Sequence, residues 1–320
     1  MDVRQLGYFL AVVEHLNFGR AAEQLHIAQP SLSQAMGTLE RELGVPLFHR
    51  VGRGIVLSDA GAQLVGPARQ VLRDLDSAKA AVRSTRGLQR GRVELISMPS
   101  PGIEPLTTIL REFIDAHPAM SVTVDAAFTP NEVVQAVKSG QAEVGLLGSA
   151  SAPNTSGLHV LPIEDQPLVL ISPRADGPSA NPEVADLEGG AEVLARADLA
   201  GMRLIVSKQG SLMRQLVDDV LASGVEVEIV VEVEHRTSIL PMVLAGIGHA
   251  VMPSSWTPLA QRAGAVVRRI EPTSLLRTAL VTRKTDLTPA ARAFVEATAQ
   301  YVAHQRAPAK PIGAAYRRHP

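Results

Sequence analysis

One helical pattern divides this sequence in two. From Asp59 to about Arg86, the residues Leu64, Ala68, Val71, Leu75, Ala78 and Val82 recur at alternating intervals of four and three. That spacing keeps an apolar seam on one side of a helix that lies against another helix. Pro67 falls early in the stretch and should bend it. Nothing nearby in the sequence would cover so long a seam, so a partner helix from a second copy of the chain is expected. The texture differs on its two sides. Before the seam the apolar residues keep helical spacing; after "GLQRGR" (87–92), which reads as a link, short β-branched runs alternate with helix-length segments. A chain so divided has more than one domain.

The first part reads as three short helices and a hairpin. Leu6, Phe9, Leu10 and Val13 mark one buried face. Asn17 is placed to cap a second helix, Phe18 to His26, that buries Ala22 and Leu25. A third helix opens at Gln29 and Pro30, turns Leu32, Met36, Leu39 and Leu43 inward, and closes at Gly44. Its other face carries Ser31, Gln34 and Thr38, flanked by Ser33 and Gly37. "VPLFHRVGRGIVLSDAG" then alternates like a small hairpin, with Arg50 and Arg53 near the tip. Uncharged polar residues gathered at the front of a helix suit contact with a partner better than a solvated helix end.

Strands separated by helix-length segments imply parallel βαβ units after the link. Runs such as "VELISM", "SVTVDAAF", "EVGLLGS", "LVLISP", "MRLIVS" and "GHAVMP" supply the strands. Residues 173–201, rich in Pro, Gly and Ala, read as a surface excursion, and the chain beyond about Gln305 as a disordered tail. In open α/β sheets ligands sit outside the carboxyl ends of strands. That rule selects Ser97, Met98, Pro99 and Ser100 after one strand, Thr129 after another, and "KQGSLMR" after a third. In the last, Ser211 is placed to cap a helix.

Composition narrows the function classes. Hydrophobic residues at 46% and charged residues at 20% belong to a globular chain. The absence of cysteine excludes disulfides and thiolate–metal sites. The uncharged run from Thr237 to Gln261 is long enough to raise a membrane question. Pro241, Gly246, Gly248 and Pro253 break it into shorter buried elements, so no membrane span is expected. With no signal pattern at the start, a cytoplasmic location is expected. Net charge is −1 overall, yet the first 90 residues carry 11 Lys/Arg against 8 Asp/Glu, so DNA contact would depend on local placement. No G-x-G-x-x-G follows a strand, and neither H-E-x-x-H nor G-x-S-x-G occurs. No cofactor, no metal and no enzymatic activity are expected, although a small-molecule-binding protein or an enzyme on a periplasmic-binding-protein-like fold is the competing reading.

The amino-terminal residues resemble the LysR-type transcriptional regulators. Ala21, Ala22 and Leu25 precede Gln29-Pro30-Ser31 and Ser33; then come Leu39-Glu40, Leu43-Gly44, Leu47-Phe48 with Arg50, a wing arginine Arg53, and Leu57-Ser58 with Ala60-Gly61, all in order. Gly37 departs from the pattern, which often has Arg or Lys there. The resemblance implies an α+β multidomain chain. A winged helix-turn-helix (1–58) leads into a linker and dimerisation helix (59–91). An α/β effector domain (92–304) follows, made of two Rossmann-like subdomains of the periplasmic binding protein type II kind, I at about 92–162 and 269–304 and II at about 163–268. A tail (305–320) ends the chain.

It further implies contacts with double-stranded promoter or operator DNA by Gln29, Pro30, Ser31, Ser33, Gln34, Thr38, Arg50 and Arg53. Self-association as a dimer or tetramer would run through helix 59–86. A small-molecule effector, an anion being favoured, would be bound by Ser100, Thr129, Gln209, Gly210 and Ser211, with Ser97, Ser149 and Arg214 as further candidates.

Overall fold

The computed structural model describes residues 1–52, 54–84, 91–151, 153–174, 193–222, 224–284 and 287–306, with backbone alone at 77 and 80–84. Arg53, the side chain of Val82, most of the 87–92 link, the centre of the 173–201 excursion and the tail beyond 306 lie outside the described residues.

The head consists of α1 (Val3–His15), α2 (Phe18–Gln24), α3 (Gln29–Leu43) and a hairpin of β1 (Phe48–Val51) and β2 (Gly54–Leu57). Its helix starts are written in the sequence. Asp2 and Gln5 form a reciprocal capping box on α1, and Asn17 Oδ1 accepts the N–H groups of Gly19 and Arg20 at the start of α2. The second helix stops at Gln24, two residues short of the predicted His26, which sits at φ +54 in the turn. Leu6, Phe9, Leu32, Met36, Leu39 and Leu47 fill the core, where the Phe48 ring lies 5.6 Å from Phe9 and 5.9 Å from Phe18. Ala11 and Val12 are buried where the long helix crosses α1, and the predicted Leu10 and Val13 are half-buried against the same core.

That long helix, α4 (Asp59–Ser84), runs unbroken through Pro67. Ser58 starts it: its Oγ accepts the Gly61 N–H at 2.9 Å and donates to Pro46 O at 2.7 Å. Gly61 itself is dictated by close approach, since a Cβ there would lie 2.3 Å from Leu47 O. The apolar seam is divided in use. Leu64 and Ala68 pack into the head's own core, a correction to the expectation that the whole seam serves a partner. Leu75 is half-buried, whereas Val71 and Ala78 are exposed.

Farther along, α4 rests on the α/β region. Gly66 lies so close to Ser139 that a Cβ would come within 2.3 Å of its carbonyl oxygen. Arg73 donates to Gly140 O (2.8 Å), to Glu94 (3.1 Å) and to Gln70 Oε1 (2.9 Å), and Arg283 donates to the same Gln70 oxygen (2.8 Å).

The α/β region contains two sheets that share one strand. In the first, parallel β4 (Met120–Ala126), β3 (Gly91–Ser97) and β5 (Val144–Ser149) are followed by antiparallel β12 (Leu275–Arg283). Helix α6 (Leu106–Ala116) and the last helix α11 (Pro289–Arg306) cover one face, where Phe113 and Phe294 meet edge to face at 5.2 Å. Helix α7 (Pro130–Lys138) covers the other.

In the second sheet, β9 (Glu228–Val233) pairs in parallel with β8 (Arg203–Ser207), which is bridged to β10 (Ala250–Pro253) at Leu204 and His249. Beyond β10 lie β6, β11 (Val266–Glu271) and β7 (Val193–Ala195). Helix α8 (Leu212–Leu221) packs on one face; α9 (Ile239–Leu244) and α10 (Thr257–Arg262) pack on the other. The shared strand is β6 (Leu158–Ser172): Leu158 to Pro167 pairs with β12, and Leu168 to Ser172 pairs with β10 and β11. Two Rossmann-like subdomains joined by crossing strands are the fold the sequence implied.

Candidate functional site

Two surfaces gather the predicted site residues. On the head, the start of α3 is open. Ala28 occupies the capping position and supplies no side-chain hydrogen bond, so the leading N–H of the helix points outward with the positive end of the helix dipole. Gln29, Pro30, Ser31, Ser33 and Gln34 are all exposed there. Thr38, one turn farther on, donates its hydroxyl to Gln34 O at 3.0 Å and accepts from Arg41 at 2.8 Å.

Arg50 is exposed on β1 opposite Ile55, and a shallow concavity bounded by Asn17, Gln29, Arg50, Gly52 and Gly54 joins hairpin to helix. Glu40 fixes their relative position by accepting the N–H groups of Leu47 (2.7 Å) and Phe48 (3.3 Å). Arg41 was not singled out in the sequence. It folds back along α3, with Nε on Gly37 O at 3.0 Å, and sets a cation beside Thr38. Gly37 has open space around it and needs no missing side chain.

The second surface lies where the carboxyl ends of the two sheets meet. Ser97 and Ser149 end β3 and β5 and are buried, Ser97 donating to Met98 O at 3.0 Å. Ser100 is fully buried in the short helix α5 (Pro99–Ile103). Thr129 caps α7 by accepting the Glu132 N–H, and Ser211 caps α8 by accepting the Arg214 N–H, both at 3.2 Å. Gln209 and Gly210 are exposed in the turn before α8, where φ +83 favours the glycine. The two sides touch: α5 packs against the turn Ser254–Trp256 of the second sheet, Ile103 joins that sheet's core, and Leu212 at the start of α8 packs against the first sheet's cluster that contains Met98 and Ala127.

Arg214 is placed differently from the rest. It is buried with Nε 2.7 Å from Asp218 and a second nitrogen 3.0 Å from Glu232. The Asp218 hydrogen bond, ahead of the opposing effect of burial, holds its proton more tightly than usual. Its charge is thereby committed to protein carboxylates.

Arg236 was also not singled out. It opens the turn Arg236–Ser238 that follows β9, and donates from Nη1 to Ser100 Oγ at 2.8 Å across the two sheets. Burial lowers its pKa to about 10. The usable signal was its position as the last charge before the uncharged run that begins at Thr237. Among the described residues no group of three or more potential metal-binding side chains occurs, and no helix is long and apolar enough to cross a membrane.

Two family profiles match the chain. The profile described as "Bacterial regulatory helix-turn-helix protein, lysR family" matches residues 3–62, and the profile "LysR substrate binding domain" matches residues 86–303. The chain is 32% identical to the HTH-type transcriptional regulator IlvR of Caulobacter vibrioides over 293 residues, 90% of this chain and 94% of that protein. It is 28% identical to the DNA-binding transcriptional dual regulator OxyR of Escherichia coli, covering 83% of this chain and 84% of OxyR. Full-length CbnR in complex with its target DNA superposes with a TM-score of 0.65 at 26% identity, over 94% of this chain and all of that one.

Proposed function

The chain belongs to the LysR family of DNA-binding transcriptional regulators with an effector-binding domain, and from that premise we propose how its own residues divide the work. The head of residues 1–58 enters the major groove with α3, and Gln29, Pro30, Ser31, Ser33, Gln34 and Thr38 face the bases and the nearest phosphates. The open helix start attracts phosphate, and the Gln34 amide can pair with adenine. Arg50 and Arg53 contact the backbone or minor groove beside it. The observation that carries this reading is the uncapped, fully exposed polar start of α3 set next to Arg50.

One head reads too few bases for specificity, and two heads span half-sites about one helical turn, ~34 Å, or its multiples apart. Residues 59–91 supply the dimerisation helix, through the part of the seam that the head leaves uncovered at Val71, Leu75 and Ala78. Dimers of dimers are the expected assembly. The protein works in the cytoplasm, and its effector domain binds a ligand without turning it over. Ser97, Ser100, Thr129, Ser149, Gln209, Gly210 and Ser211 surround that ligand between subdomains I and II. Arg214 holds the frame of α8. The ligand acts by its different affinity for two arrangements of the subdomains.

Selection of fragments of the source genome by the purified full-length protein tests this function. Enrichment of a few partly palindromic sites is expected. Capture of DNA without sequence preference, or of none at moderate salt, would remove the sequence-specific role.

A further inference from the structure

Two well-enclosed arginines of this chain have carboxylate partners. Arg214 has Asp218 and Glu232, and Arg73 has Glu94. Arg236 is different. Among the described residues its one hydrogen bond is to the uncharged hydroxyl of Ser100, its buried Nε has no hydrogen-bond partner, and no carboxylate pairs with it. Arg236 is half-buried with its Nε out of water, and a guanidinium so placed without a counter-charge is costly to a fold, a cost that falls when an anion arrives.

Its neighbours along the sheet are of the same kind. Arg236 follows β9, Ser207 ends β8, and Ser255 and Trp256 follow β10. These are three adjacent parallel strands, and all three present their carboxyl ends on one side. Ser207 Oγ, Ser255 Oγ and Trp256 Nε1 are buried with no hydrogen-bond partner among the described residues. Every one of these groups can donate a hydrogen bond, and Trp256 and Arg236 can only donate. A set of unpartnered donors at strand ends matches a ligand rich in acceptors.

We propose that Arg236 receives the charged end of the effector, and that the effector is a small carboxylate bridging Arg236 of subdomain II to Ser100 of subdomain I. The proposal deepens the effector-binding reading above and rests on it. One guanidinium balances one negative charge, which favours a monocarboxylate over phosphate. The apolar cluster of Ile103, Ile239 and Trp256 alongside suits an apolar body on the ligand. The Ser100 hydroxyl, 2.8 Å from Arg236 Nη1, marks where a carboxylate oxygen would sit.

Thermal unfolding of the full-length protein tests this, using acetate, propionate and benzoate against acetamide, propionamide and benzamide at matched sodium chloride. At least one acid should raise the melting temperature by two degrees or more, with no rise from its amide. Arg236→Met should abolish that rise, and Arg236→Lys should keep part of it. Without any acid, Arg236→Met should melt no lower than the natural protein and up to ~2–4 °C higher, because a half-buried unpaired charge is gone. A merely structural hydrogen bond to Ser100 would give the opposite sign. Equal shifts from acid and amide, an undiminished shift in Arg236→Met, a response to inorganic phosphate alone, or no acid distinguishable from chloride would each overturn the proposal. Genomic fragment selection on the same samples separates the readings: retained DNA binding with no acid response removes the carboxylate and leaves the regulator.

Discussion

On the head, the outward polar groups come from one helix and the hairpin beside it, and water reaches nearly all of them. In the cleft Ser100, Ser207 and Ser255 are buried and Arg236 is half-buried, while Thr129, Gln209 and Gly210 at its rim stay exposed. The difference follows from what each surface meets. A DNA backbone brings its own strong field and many phosphates, so exposed residues can wait solvated and release counterions on contact. A small ligand must be surrounded, and that buries polar groups before it arrives, which is costly unless each finds a partner. The head can be stable and still present its binding groups; the cleft carries its binding groups as a defect that the ligand repairs.

Variants can break or sharpen this contrast. Gly61→Val forces a side chain against Leu47 O and should destabilise the head by ~1–3 kcal/mol. The chain's single tryptophan, Trp256, sits in subdomain II. Circular dichroism should therefore show early loss of helix while Trp256 fluorescence melts unchanged; a joint shift would mean that head and cleft unfold as one unit. Arg50→Ala should weaken DNA binding about tenfold on all sequences and lower the salt slope by about one. Fluorescence anisotropy across a salt series measures both, and an unchanged slope would remove Arg50 from phosphate contact. Gly37→Ala should stabilise α3 by ~1 kcal/mol, since the space around it is open, and should leave operator preference as it was.

The smallest effect concerns pH. His249 lies 2.9 Å from Ser172 Oγ, and burial first, then the charges of Arg268 and Arg203, lowers its pKa below the ordinary 6.5. The folded ring is therefore neutral while the unfolded chain takes up a proton. Its contribution to stability is complete above pH 6.5 and is lost as pH falls from there toward the lowered folded value. Urea midpoints at pH 7.5 and 5.5 should differ less in His249→Asn than in the natural protein.

Much of the head was legible because its determinants are local. The caps at Asp2 and Asn17, the apolar face of α3 and the turn at Gly44 each depend on residues within four positions of one another. The division of the seam was not legible. Leu64 and Ala68 look like any heptad positions until α1 is laid across them. In the effector domain, strand alternation exposed the sheets, and the strand-end rule selected Ser100, Thr129 and Ser211, which lie in or cap the helices that follow strands. Arg236 escaped because its meaning depends on Ser100, 136 residues away, and on the carboxylates it lacks. A missing partner leaves no trace in a linear pattern.

The joint between α4 and the α/β region decides what a bound ligand can move. Gly66 against Ser139, together with the hydrogen bonds of Arg73 and Arg283, bolts the helix to the half of the effector domain that holds β3, β5 and β12. Helix and first half thus form one chassis, and the head rides on it. The second half, which carries Arg236, hangs from that chassis by β6 and by the return from β11 to β12. Any change in the angle between the two halves would therefore turn the second half about these strands, while the helix that aims the head keeps its seat on the first.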